Sequence, residues 1–167
     1  MKHTPSDRKP GAGEVGTIRK DRRGRTTVAL VYPNRYHVGM ANLGFQSIYG
    51  LLNRYDEVVC ERAFLPEETP SAPGRLTTLE SGRPVAEADI IAFSISFESD
   101  YPHLLQLMEQ AGIPLRSEER SEDHPLVVAG GVACFLNPEP IFAFIDLFLI
   151  GEAEAILPRF LEIFQAG

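Results

Sequence analysis

Cysteine is scarce in this 167-residue chain. Only Cys60 and Cys134 occur, with no cysteine or histidine beside either at metal-ligand spacing. Two isolated thiols argue against a disulfide framework and against a zinc or iron–sulfur site within these residues. The four histidines, His3, His37, His103 and His124, are scattered rather than paired. Long apolar runs are absent too: none reaches the roughly 18 residues that a membrane span needs. The first residues lack the apolar core of a signal peptide, so the expected location is cytoplasmic. Positive charge is scarce beyond residue 26. Residues 1–26 hold eight Lys/Arg against three Asp/Glu, and residues 27–167 hold eight against twenty. The basic segment has no Phe, Tyr or Trp to stack on a base, and the acidic remainder would repel phosphate, so nucleic acid is not an expected partner. Residues 1–26 read as a solvated, flexible leader and residues 27–167 as one α/β domain. Gly11-Ala-Gly-Glu-Val-Gly16 matches the dinucleotide fingerprint literally, but Lys-Pro precedes it and a charged run follows. The pattern has meaning only between a strand and a helix, so it carries no binding role here.

What the chain does have is alternation. Thr26–Tyr32 is a β-branched apolar run closed by Pro33-Asn34. A loop over residues 35–41 leads to a helix from Asn42 to Arg54, in which Phe45, Ile48, Tyr49 and Leu52 repeat at helical spacing. Val58–Phe64 is the second strand, followed by a Pro/Glu/Ser-rich surface insertion over residues 65–87 with a hairpin near Ser81-Gly82. Ala88–Ser96 is the third strand. The next helix is capped by Ser99 or Asp100 and ended by Gly112. A fourth strand over Pro125–Ala129, a short turn near 138–144, a fifth strand over Asp146–Ile150 and a helix over Glu152–Gln165 complete the series. The last helix carries an apolar stripe of Ile156, Phe160, Ile163 and Phe164, and Pro158 should bend it. Strands alternating with helices predict a doubly wound parallel sheet of five strands in three layers, in the flavodoxin-like order 2-1-3-4-5.

In such a sheet ligands lie outside the carboxyl ends of the strands. Four loops meet there. They carry Asn34 to Gly39 with His37, then Ser94, Ser96 and Glu98, then Gly130 and Gly131, and finally Gly151 and Glu152. Glycines admit a flat ligand close to the backbone and serines supply hydrogen bonds without bulk. Taken singly, the glycines are explained equally well by tight turns and the serines by internal hydrogen bonds. No P-loop, receiver-type acidic cluster, flavin-phosphate loop or nucleophile–base set is present. The chain has no catalytic constellation of its own.

The succession of residues 31–46 (Val-Tyr-Pro-Asn-Arg-Tyr-His-Val-Gly-Met-Ala-Asn-Leu-Gly-Phe-Gln), 89–100, Val127-Val-Ala-Gly-Gly131, Asn137-Pro-Glu-Pro140 and 145–154 (Ile-Asp-Leu-Phe-Leu-Ile-Gly-Glu-Ala-Glu) resembles the N-terminal module of radical S-adenosylmethionine (SAM) proteins, a cobalamin-binding-like domain that precedes the catalytic barrel. The resemblance covers roughly residues 27–165. It implies a longer parent enzyme in which a Cys-x3-Cys-x2-Cys motif, absent here, holds the [4Fe-4S] cluster that cleaves SAM. It also implies an accessory role packed over that barrel, with a corrinoid or a small-molecule substrate held at the carboxyl edge. Ser94, Ser96, Gly130, Gly131 and Gly151 are the candidate cofactor residues, and His37 is an additional candidate. Cobalamin carriers that supply an axial histidine use Asp-x-His-x-x-Gly; Arg35-Tyr-His37-Val-Gly39 lacks the aspartate and has its glycine one residue too close. Two other readings stay open on the residues alone: a degenerate interaction module that binds no small molecule, and a free-standing nucleotide- or flavin-binding domain.

Overall fold

The computed structural model describes residues 11, 13–67 and 76–167. Five parallel strands form one sheet in the order β2-β1-β3-β4-β5, the flavodoxin-like α/β arrangement expected from the alternation. They are β1 (Thr26–Tyr32), β2 (Val58–Phe64), β3 (Ile90–Ser94), β4 (Leu126–Gly130) and β5 (Leu147–Leu149). Central strands flanked by helices on both faces must be apolar on both sides, and β1 is buried at six of its seven positions. Its side chains divide by parity. Val28, Leu30 and Tyr32 pack with α2 (Leu43–Leu52) and α5 (Ala153–Ala166), whereas Ala29 and Val31 face the layer containing α3 (Tyr101–Ala111).

Two short helices stand where loops were expected. α1 (Tyr36–Met40) follows β1, and α4 (Val132–Leu136) begins two residues after β4. Neither has a side-chain cap or the length to show helical periodicity, so the sequence carried no signal for them. The stripe of α5 departs from the expected one in part: Ile156, Phe160 and Phe164 do face the cavity or the core. Leu157 and Leu161, one turn apart, are its buried residues, while Ile163 is exposed. Pro158 does lie inside this helix. At α3 the cap at Asp100 makes no side-chain hydrogen bond to the helix, and Gly112 ends it at φ 74°. Expectation and structure agree at α2, where the side chain of Asn42 accepts from the amide of Phe45 at 2.9 Å.

The insertion expected at the surface is only partly so. Residues 68–75 lie outside the described residues, but Leu76, Thr78, Glu80 and Val85 are buried. The hairpin near Ser81-Gly82 is present as a bridge between Thr77 and Pro84. It covers the free edge of β2: the amide of Leu79 donates to the carbonyl of Arg62 at 2.7 Å, and the amide of Arg62 donates to Glu80 Oε2 at 2.7 Å. Covering an edge strand removes the unpaired ladder that would otherwise recruit another chain.

The described part of the leader is fastened to this same side. Lys20 Nζ donates to the carbonyls of Tyr55 and Val58 at 2.7 and 3.0 Å, and the amide of Ile18 donates to Tyr49 Oη at 2.8 Å. Deeper in, Arg62 lies over the Tyr49 ring, 4.4 Å from its centroid, and is paired with Glu80 at 2.6 Å and with leader residue Glu14. Burial works against the Arg62 charge, but the hydrogen bonds to Glu14 and Glu80 outweigh it and raise the guanidinium pKa.

Candidate functional site: an apolar cavity at the carboxyl edge

Register places three of the expected residues side by side. Ser94 pairs with Gly130, and Gly130 with Leu149, two residues before Gly151. Ser94, Gly130, Gly131 and Gly151 all line one cavity of about 130 Å³ between the sheet, α2 and α5. Its floor is Leu30, Ala92 and Val128, which are register neighbours on β1, β3 and β4. Ile48 and Leu52 of α2, with Ala153, Ile156, Leu157 and Phe160 of α5, form the walls. The void has a sequence cause. Ala92 puts the smallest side chain at the centre of the floor, and Ala153 does the same on the facing helix.

Size and lining restrict what fits. Apolar space of this order takes a benzene-sized group. It cannot enclose a macrocycle or a dinucleotide, so only an apolar ring or branched alkyl portion of a larger ligand would enter. Polar groups of that ligand would remain at the Ser94, Gly130 and Gly151 mouth, where glycine leaves backbone accessible.

The glycines nevertheless have internal reasons. A Cβ on Gly131, at φ 107°, would stand 2.3 Å from the carbonyl oxygen of Ile95, so the β3 and β4 loops cross too closely for any side chain. The carbonyl of Ile95 accepts from the Ala133 amide at 3.3 Å there. At Gly151 a Cβ would meet Ile156 Cδ1 at 2.9 Å, with φ at 135°. These turns therefore shape the mouth through chain packing, whatever it holds.

Ser96 sits elsewhere on the edge. Its Oγ accepts from Asn42 Nδ2 at 2.9 Å, tying the β3 loop to the start of α2. A second bridge runs in parallel, from Asn34 Nδ2 to Asp100 Oδ1 at 2.9 Å. Both cross from the β1 loop to the β3 loop, which is the topological switch point of this strand order. Asp100 is 2% exposed and its Oδ2 has no partner among the described residues. Asn34 and Asp100 were missed as a pair in the sequence because each had a sufficient local explanation, a strand-ending turn and a helix cap.

His37 is exposed on α1 and does not line the cavity. Gly39, two residues on, packs against Phe64 and Tyr32, which turns α1 toward the β2 side of the sheet. Neither thiol is poised for chemistry. Burial pushes Cys60 well above the ordinary thiol value and Cys134 up to about 11. Among the described residues no three His, Cys, Asp or Glu side chains gather as a metal set. Nor is any helix long and apolar enough to cross a membrane.

Comparison with known proteins adds two findings. The family described as "Radical SAM proteins, N-terminal" matches residues 44–167. An uncharacterized protein of Methanocaldococcus jannaschii is 24% identical over 127 residues, which cover 76% of this chain and 24% of that protein. The chain thus spans about a quarter of the length of the curated relative it matches. No solved structure matches.

Proposed function

Because the chain belongs to the N-terminal family of radical SAM proteins, we propose that it is the accessory module of a radical SAM enzyme. In this reading it holds the apolar part of a small ligand in the cavity between β3, β4 and α5. The ligand is a corrinoid or the parent enzyme's substrate, presented to a catalytic domain in the same polypeptide. Chemistry stays in that other domain, whose [4Fe-4S] cluster would cleave SAM. The residues here do not fit the cluster: Cys60 and Cys134 are both buried and stand in separate elements. The observation that carries the ligand reading is the apolar cavity opening at the carboxyl edge, where Ser94, Gly130, Gly131 and Gly151 converge.

The corrinoid version is the narrower one. Among the described residues no histidine lines the cavity, and His37 lies on α1 outside it. A corrinoid would therefore sit on the edge with only an apolar substituent in the cavity. Titrating hydroxocobalamin against the chain tests this. Binding at a hundredfold excess over Kd would stabilise the fold by about 2.7 kcal/mol and perturb the corrinoid spectrum. An unchanged spectrum at high micromolar protein removes the corrinoid and leaves the substrate version.

A further inference from the structure

Helix α4 is inverted relative to an ordinary surface helix. Val132, Phe135 and Leu136 stand at i, i+3 and i+4 on its outer face and are 55, 66 and 70% exposed. Small Ala133 and Cys134 fill the inner side. The orientation is fixed, because Tyr101 Oη donates to the carbonyls of Ala133 and Asn137 at 3.1 and 2.7 Å. Phe142, on the 3-10 turn that follows, and Phe97, on the β3 loop, are 66 and 59% exposed. Four large apolar side chains, Phe97, Val132, Phe135 and Leu136, thus stand out on the β3 and β4 connections at the carboxyl end of the sheet, while Phe142 lies further along toward the amino end, where the next residues bond to Ser117 and Arg120. Such a group on a folded surface marks an interface.

The charge around it selects the partner. Residues 84–115 and 121–158, which carry the whole patch, contain no lysine or arginine, whereas Glu98 and Glu139 flank it and are exposed. An acidic rim repels nucleic acid and anionic lipid, and it opposes pairing with a second copy of itself. It suits an apolar surface bordered by lysine or arginine. The matched family is defined by its N-terminal position, and the aligned region is only 24% of the archaeal relative's length.

We propose that the outer face of α4, together with Phe97, is the docking surface for the downstream domain of the parent polypeptide. This rests on the reading of the chain as an N-terminal module, and it names the face that module turns to its neighbour. Docking there brings the partner beside the cavity mouth, since Gly131 both lines the cavity and caps α4.

The test uses the full-length gene product with p-benzoylphenylalanine placed at Phe135 and, as a control, at exposed Ile163 of α5. Irradiation should join position 135, and not position 163, to a peptide beyond residue 167 of the same chain. Phe135→Glu, at an exposed site where folding is not at risk, should raise the rate of proteolysis at the domain junction about tenfold. Cross-links from position 135 that reach only residues 1–167 of a second copy, or that do not exceed those from position 163, overturn the proposal. A downstream sequence that lacks Cys-x3-Cys-x2-Cys defeats the radical-enzyme reading and the docking with it. If that motif is present and position 135 finds no downstream peptide, the docking alone fails.

Discussion

The two ends of one sheet are built on different principles. At the amino edge, charged side chains are used up on backbone. Asp89 Oδ2 accepts from both the amide and the hydroxyl of Thr27 at 2.7 Å, and Asp146 Oδ2 accepts from the amide of Val127 at 2.8 Å. Arg120 ties the third and fourth crossovers together, donating to Asp146 and to the carbonyls of Pro114, Leu115 and Phe144 at 2.9 to 3.0 Å. The carboxyl edge has glycine turns, two neutral-to-polar bridges, a cavity and an uncovered apolar helix face. Charge-assisted hydrogen bonds to backbone thus gather at the amino edge, while the carboxyl edge stays open and hydrophobic.

Arg120→Met should break this comparison most severely. Its guanidinium is almost wholly buried, and removal strands three carbonyls and the Asp146 carboxylate. A loss of about 3 kcal/mol is expected from a shift of the urea midpoint. A loss under about 1 kcal/mol would mean that the amino edge is not the stabilising one.

A comparable effect is expected from alkali, and it probes the seat of α4. Cys134 titrates at about 11 when folded against 9.0 for the free thiol, with burial as the cause. The folded state therefore holds its proton more tightly than the unfolded chain. Its contribution is complete below pH 9 and falls away as pH rises toward 11, by about 2–3 kcal/mol over that window. The thiol of Cys60 and the phenols of Tyr49 and Tyr101 are raised by burial as well and act in the same direction. Urea midpoints should change little between pH 8 and 9 and fall between pH 9 and 11, and Cys134→Ala should flatten part of that fall. A slope that this substitution leaves unchanged would show that α4 is not seated on a desolvated thiol.

Much of this was legible in the residues, for identifiable reasons. β1, β2 and β3 announce themselves because central parallel strands are continuous apolar runs, and Asn42 announces α2 because a cap has a fixed chemistry. That the carboxyl edge gathers Ser94, Gly130, Gly131 and Gly151 followed from strand order alone. The cavity between them did not, because a void depends on two alanines, Ala92 and Ala153, meeting across helix and sheet. Helices of five residues, such as α1 and α4, are too short to show a period, so the apolar face of α4 read as part of a loop. Arg62, Glu14 and Glu80 lie far apart in sequence, and no local pattern predicts that a leader residue closes that cluster.

The smallest expected change tests the cavity itself. Ala92 stands between Leu30 and Val128 in register, and its methyl faces the void. Ala92→Val adds two methyl groups to space that is already empty and apolar, so burial is gained without displacing a neighbour. Each buried methylene is worth about 0.8 kcal/mol, part of which is lost in fixing the branched side chain, leaving a gain of about 0.5–1 kcal/mol. The same two methyls occupy the room that a ligand's apolar group would use. The free chain should therefore melt slightly higher, while the ligand-induced rise in Tm shrinks. Stability and binding moving in opposite directions at one residue is the signature of a functional void. A destabilisation above about 1.5 kcal/mol would instead mean overpacking, and that the space beside Ala92 is ordinary core.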